Sequence, residues 1–311
     1  GKVRSVSMLK PEEYFEPLPA SEKNEEYIAM ESKSFAKDVW ERFCSNKRAL
    51  AGLILLGIIV VIAVIGPWIS PYPYDGMDTM ISNQGASLAH WFGTDQMGRD
   101  EFTRVLYGAR ISLMIGFVAT AVNVVIGIIY GGIAGYIGGK VDMVMMRIVD
   151  VIYSVPAMIY IILIMLILGS NVYSVMIGIC VNGWVNMARI VRSEVITLKE
   201  REFAVAAFVM GASKKRILFR HLVVNAMGPI IVTATLMVPQ AIFNEAFLSF
   251  IGIGISAPAA SLGTLAQDAK MLLAKYPMQM VYPVAVICVV IFALNFIGDG
   301  LEEALNPKGR R

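Results

Sequence analysis

The residues with the most evident chemistry to offer run from Lys199 to Ile217 and read KEREFAVAAFVMGASKKRI. Acidic residues in the opening turn complement a helix dipole, and the stretch up to Met210 is strongly helix-forming. Gly211 suits a C-terminal cap, and Ser213 can cap a second short helix that leads through Lys214, Lys215, Arg216 and Arg220. Small residues (Ala204, Ala206, Ala207, Gly211) keep the surface of this helix low, so that another protein's cleft can close around it. A bland interfacial helix would carry more bulky apolar anchors. The chemistry here is docking, not bond making.

Enzyme chemistry has little to draw on. The chain holds two histidines, His90 and His221, with no HExxH and no plausible triad. His90 beside Trp91 reads as an interface residue. Cys44, Cys180 and Cys288 stand far apart, which argues against a disulfide framework or a zinc site. No G-x-x-x-x-G-K-[ST] occurs, so the chain has no phosphate loop of its own and must draw energy from a partner or an ion gradient. Glu245 is the one charge in a long apolar run. A charge at the bilayer centre costs about 2.5–3.5 kcal/mol on insertion scales, and a place near the outer end of its helix relieves that. Two roles stay open for it: pairing and fixing the outer loop, or contacting substrate as a gate. With Asn244 and Asn225 it forms a candidate substrate path. Asp150 and Arg147 sit one turn apart and can pair. Asn123, Asn182 and Asn295 suit interhelical hydrogen bonds, and Pro156, Pro229 and Pro239 can kink their helices.

The elements that must position these groups follow from composition. Of 311 residues, 57% are hydrophobic and 16% charged, against about 45–50% and about 25% in soluble domains. That contrast indicates a polytopic membrane protein. A span needs about 20 mostly apolar residues. Such runs cover 49–69, 111–139, about 144–168, 172–192, 222–250 and 282–298, giving an all-α bundle of six transmembrane helices. A short helix over 101–110 feeds the second span, and another over 265–275 lies in the loop before the sixth. Five of the 27 Lys and Arg residues (Arg99, Arg104, Arg110, Lys270, Lys275) fall on one side of the membrane. The positive-inside rule then places both termini in the cytoplasm.

The implied organisation is a mobile cytoplasmic tail over 1–34, an amphipathic interfacial helix over 35–48, the first transmembrane helix over 49–69 and an extracytoplasmic loop over 70–108. A transmembrane domain over 109–311 follows, with its cytoplasmic hairpin at 193–221. The interfacial helix is read from Phe35, Val39, Trp40 and Phe43 at helical spacing opposite charged residues. An ion-coupled secondary transporter is the main alternative in function. It predicts midplane charges and matching repeats, and the sequence offers neither.

The hairpin resembles the EAA loop of ABC importer permeases. That frame reads Val205-Ala206-Ala207 and then, after three residues, Gly211; valine stands where the family has glutamate, and Val223-Val224 where it often has Leu-Pro. The segments Phe92-Gly93-Thr94-Asp95-Gln96-Met97-Gly98-Arg99-Asp100 and Tyr107-Gly108-Ala109-Arg110-Ile111-Ser112-Leu113 look like the outer-loop signature of one subfamily, the C-type permease subunit of oligopeptide and dipeptide ABC importers. Segments starting at Glu245 and Gly298 are similar to its later ones, and the similarity runs from about residue 45 to the end.

The resemblance implies a type I ABC importer permease fold in a bacterial or archaeal cell membrane. It implies a non-catalytic subunit that forms half of a peptide pore, with Glu202, Ala206, Ala207, Gly211, Ala212 and Ser213 coupling it to ATPases. Implied partners are a homologous second permease, two cytoplasmic ATPase subunits and an extracytoplasmic peptide-binding protein, within membrane lipid and without nucleic acid. No cofactor or metal is implied on this chain; ATP and magnesium belong to the ATPases. Related permeases carry nickel or another small solute, so cargo stays open within the family.

Overall fold

The computed structural model describes residues 34–306, so the tail over 1–33 and the last five residues lie outside the described part. Residues through Asp38 stand as a unit of their own, and the description below concerns the unit Val39–Arg311. Its elements follow α1 (Phe35–Ser45), which begins in the first unit. They are α2 (Lys47–Ile69), α3 (Glu101–Ile137), α4 (Gly139–Ser154), α5 (Ala157–Leu168), α6 (Val172–Lys199), α7 (Glu202–Val209), α8 (Lys214–Arg216), α9 (Val223–Asn225), α10 (Met227–Phe250), α11 (Leu262–Lys270) and α12 (Pro277–Leu305). No strand occurs among the described residues, apart from an isolated bridge between Thr94 and Asp100.

Among the described residues, five helices are long and apolar enough to cross a membrane: α2, α3, α6, α10 and α12. The third expected span is not the single helix expected over 144–168. Its two parts, α4 and α5, meet at a 79° bend. The cause is local: Pro156 has no N–H to donate, and its ring drives Val155 out of the helical region into extended backbone. Counted as one broken span, the pair completes six.

Other boundaries moved for equally local reasons. The amphipathic helix expected to run to residue 48 ends at Ser45. Asn46 takes an extended conformation there, and its side chain accepts the N–H groups of Arg48 and Ala49, which starts α2 instead. The short helix expected at 101–110 merges with the second span into one helix of 37 residues. That helix is capped by Asp100, whose Oδ2 accepts from Thr103 N at 2.8 Å. The loop helix starts three residues early, at Leu262. Ser261 and Thr264 form a capping box there, each side chain accepting the other's backbone N–H.

The longest interface joins α3 to α6, and glycine makes it possible. Gly127, Gly131 and Gly135 recur at four-residue spacing on the face of α3 that meets α6. A Cβ built on Gly131 would lie 2.2 Å from the carbonyl oxygen of Ala188. Two backbones in that contact gain dispersion at a range bulkier residues forbid, the usual basis of helix association in lipid. Around this pair, α2 packs on α12 and α3, α10 on α12 and α3, and α11 on α10, α12 and α3. We call the end carrying α7 the hairpin end and the end carrying α11 the far end.

Candidate functional site

At the hairpin end the local sequence folds as its caps dictate. α7 closes with Gly211 at φ +82°, the left-handed region that glycine occupies without strain. The Gly211 N–H donates to Phe208 O and the Ala212 N–H to Ala207 O, both at 3.0 Å, which is the Schellman pattern. Ser213 Oγ then accepts from Arg216 N, starting α8. Five of the six residues expected to couple this helix to a partner (Glu202, Ala206, Gly211, Ala212, Ser213) reach the surface wholly or in part. Ala207 does not; it is buried.

The orientation of α7 departs from the expectation. Only part of the small-residue set lines its outer surface: Ala206 and Gly211 are exposed. Ala204 and Ala207, three apart on one face, turn inward against Ile217, Leu218 and Leu222, and their size lets α7 lie close on that layer. Outward stand Val205, Phe208, Val209 and Met210, the last three 66%, 78% and 81% exposed. Contiguous exposed apolar side chains mark an interaction surface. The outward face of the hairpin therefore carries bulky apolar side chains beside the small Ala206 and Gly211.

The base of the hairpin is braced by ion pairs. Arg192 on α6 makes a two-pronged contact with Asp142 on α4, and Arg189 Nη2 reaches Asp150 Oδ1 at 2.8 Å. Arg147, the expected partner of Asp150, is farther at 3.9 Å and largely exposed. Lys199 Nζ donates to Gly135 O at 3.0 Å. The signal was present in the spacing: Arg189 and Arg192 are three apart on one helix, so they share a face. Asn182 makes its interhelical bond, to Ile152 O at 3.2 Å. Asn123 Oδ1 is buried without one.

The three residues of the expected substrate path do not come together. Asn225 lies at the hairpin end, donating to His221 O at 2.6 Å. Glu245 is 20 residues on, roughly 30 Å along a helix rising 1.5 Å per residue. Asn244 is half-buried and accepts from Gln240 Nε2 at 3.1 Å on the outward face of α10. Glu245 points the other way, fully buried. Its Oε2 accepts from Ser112 Oγ on α3 at 2.8 Å and its Oε1 from Ser249 Oγ at 2.9 Å. Ser112 Oγ in turn accepts the first N–H of α11, from Leu262 at 3.3 Å. One carboxylate thus ties α10, α3 and α11 together.

The far end also holds a network that sequence reasoning missed. Arg99 Nε donates to Asp95 Oδ2 at 2.6 Å, while Arg99 Nη2 and Arg104 Nη2 approach Asp268 Oδ2 on α11 at 3.4 and 3.1 Å. Both arginines are buried. Burial raises the pKa of Asp268 above the usual carboxylate value, and the two guanidiniums pull it back only in part. His90 is buried, its Nδ1 2.8 Å from Asp100 Oδ1, so it is no interface residue. The i, i+4 pair Asp95–Arg99 was legible in principle; Asp268, 169 residues from Arg99, was not. No cluster of potential metal ligands occurs among the described residues.

Residues 124–311 match the family described as "Binding-protein-dependent transport system inner membrane component", and residues 34–86 match the "N-terminal TM domain of oligopeptide transport permease C". The chain is 44% identical to the oligopeptide transport system permease protein OppC of Bacillus subtilis (strain 168), over 97% of this chain and 99% of that protein. It is 43% identical to the dipeptide transport system permease protein DppC of the same organism, over 97% and 94%. It is 40% identical to OppC of Escherichia coli (strain K12), over 92% and 95%. Among solved structures, an inward-facing MetNI methionine ABC transporter shares the fold, with a TM-score of 0.54 at 19% identity over 65% of this chain and 96% of that one. With five long apolar helices, a bent helix pair, a capped hairpin and these relatives, the chain is a multi-pass membrane protein that belongs to the family of inner-membrane components of binding-protein-dependent transport systems.

Proposed function

We propose that this chain forms half of the translocation pore of an ATP-driven importer for peptides. The observation that carries the cargo is the near full-length identity to permeases named for oligopeptides and dipeptides. Both termini lie in the cytoplasm, in keeping with the basic asymmetry, and the hairpin meets one of two ATPase subunits that carry ATP and magnesium. A homologous second permease completes the pore, and an extracytoplasmic peptide-binding protein delivers cargo to the far end. Deleting the gene in a strain that requires peptides should abolish growth on peptide medium; continued growth would remove the peptide assignment.

Coupling passes through α7. Phe208, Val209 and Met210 seat in a cleft of the ATPase, the Gly211 turn holds them at a fixed angle, and the Ala204/Ala207 face transmits the push to the layer around Leu218. Replacing Met210 by aspartate puts a charge in that seat and should cut copurification of the ATPase subunits at least tenfold, measured by affinity pull-down. Gly211→Val acts differently. A β-branched residue in the left-handed region costs on the order of 1–2 kcal/mol, and a Cβ at this position meets nothing within 4 Å. The protein should therefore insert normally, while ATP hydrolysis becomes uncoupled from uptake. Uptake and substrate-stimulated hydrolysis that both survive the change would overturn the coupling role.

Along the pore, the Gln240–Asn244 pair faces outward from an apolar helix. Amides facing lipid are costly, so this face of α10 lines the peptide path with Asn244 in contact with substrate.

A further inference from the structure

The chain between the hairpin and α10 carries Lys214, Lys215, Arg216 and Arg220, and none of them forms an ion pair among the described residues. An open groove of about 530 Å³ runs beside them, lined by Ser213, Lys215, Arg216, Phe219, Arg220 and Val224. A π turn over Ile217–Leu222 gathers these side chains. Its last hydrogen bond runs from Val223 N to Leu218 O, five residues back, so the coil is wider than an α-helix and residues four and five apart share a wall. Ile217, Leu218 and Leu222 turn inward and are buried, whereas Phe219, Val224 and Met227 stay partly exposed. The outward strip is thus cationic at the hairpin and apolar along the helix that leads into the membrane.

We propose that this groove binds one anionic phospholipid, with its phosphate between Arg216 and Arg220 and an acyl chain along Phe219, Val224 and Met227. The inference rests on the reading that places the hairpin at the cytoplasmic face. Guanidinium groups form charge-assisted, often bidentate hydrogen bonds with phosphate oxygens. Basic clusters beside a span attract the anionic headgroups of that leaflet. An acidic cleft on a partner protein would satisfy the cations equally well. It would leave unexplained why the strip continues as exposed apolar side chains toward Met227, which is the amphipathic profile of a lipid. The seat proposed for the ATPase is the apolar end of α7; the groove meets the hairpin at Ser213 and continues from there toward the membrane.

The test uses the assembled transporter in nanodiscs of phosphatidylcholine with a minor fraction of phosphatidylglycerol, followed by mass spectrometry of the lipid retained through purification. Wild type should retain phosphatidylglycerol in excess of its share of the bilayer. The double variant Arg216→Ala/Arg220→Ala should lose that enrichment at least fivefold, and Arg216→Lys/Arg220→Lys should keep part of it. Arg147→Ala removes a largely exposed charge elsewhere at this end and should leave enrichment unchanged. Equal enrichment in wild type and the double alanine variant overturns the proposal. So does loss of the ATPase subunits from that variant with lipid retention intact, because the groove would then belong to the partner protein. If the wild-type chain never copurifies with ATPases, the transport reading fails, yet the lipid comparison is still read on the chain alone.

Discussion

Gly131→Val should yield no stable transporter. The atoms that a new Cβ would meet are the carbonyl oxygen, carbonyl carbon and Cα of Ala188, at 2.2 to 2.9 Å. These are backbone atoms of a long helix and cannot rotate aside as a side chain would. Overpacking a well-filled core costs about 1–3 kcal/mol when side chains can adjust; here α3 and α6 must separate along the whole row that Gly127 and Gly135 continue. The loss should be at least about 3 kcal/mol, a large part of a typical stability of about 5–15 kcal/mol. Size-exclusion profiles and thermal unfolding in detergent measure it. Gly57→Val is the matched control, since a Cβ there has nothing within 4 Å. A Gly131→Val protein with wild-type yield and melting temperature would show that the α3–α6 contact is not as described.

Glu245→Ala should be nearly as damaging, and its comparison with Glu245→Gln decides what the residue is for. Truncation leaves the Ser112 and Ser249 hydroxyls, both buried, without their acceptor. A buried polar group left unpaired costs about 1–3 kcal/mol, and the volume of the missing side chain adds a cavity. Together these suggest a loss of about 3 kcal/mol, with α11 loosened because its first N–H is held through Ser112. Limited proteolysis between Gly252 and Tyr276 should show faster cleavage. Glutamine keeps the shape, and rotatable serine hydroxyls can serve its amide, so Glu245→Gln should fall within about 1 kcal/mol of wild type and still transport. If Glu245→Gln folds normally but transports nothing, the charge itself acts in the substrate path and the structural role is wrong.

Much of the architecture could be read from the chain because its causes are local. Apolar length gave the number of spans, and side chains that hydrogen-bond their own backbone gave their ends. Ser213 caps a helix at the expected place, and Gly211 ends α7 where a left-handed residue was needed. Pro156 was legible as a kink, although a bend of 79° that divides a span in two was not. The angle depends on where α5 finds packing, chiefly against α6. Asp142–Arg192 and Asp268–Arg104 were invisible for a different reason. Each joins residues more than 40 positions apart, and spacing along the chain carries no information about such pairs.

α7 marks the boundary between the two kinds of knowledge. Its sequence determined that a short helix forms and where it ends. Which side faces out was not encoded locally, because α7 is apolar nearly all round and periodicity assigns an inner face only where polar residues mark the other. The tertiary structure decided it: Ala204 and Ala207 turn inward onto the layer of Ile217, Leu218 and Leu222, and Phe208, Val209 and Met210 are left outside. The same holds for Glu245. The sequence determined that an isolated carboxylate lies in an apolar helix, and only the meeting of α3, α10 and α11 decided that the Ser112 and Ser249 hydroxyls donate to it. Local hydrogen bonding and apolar length act within a few turns of chain, whereas the choice of neighbour is made by packing among segments that the sequence keeps far apart.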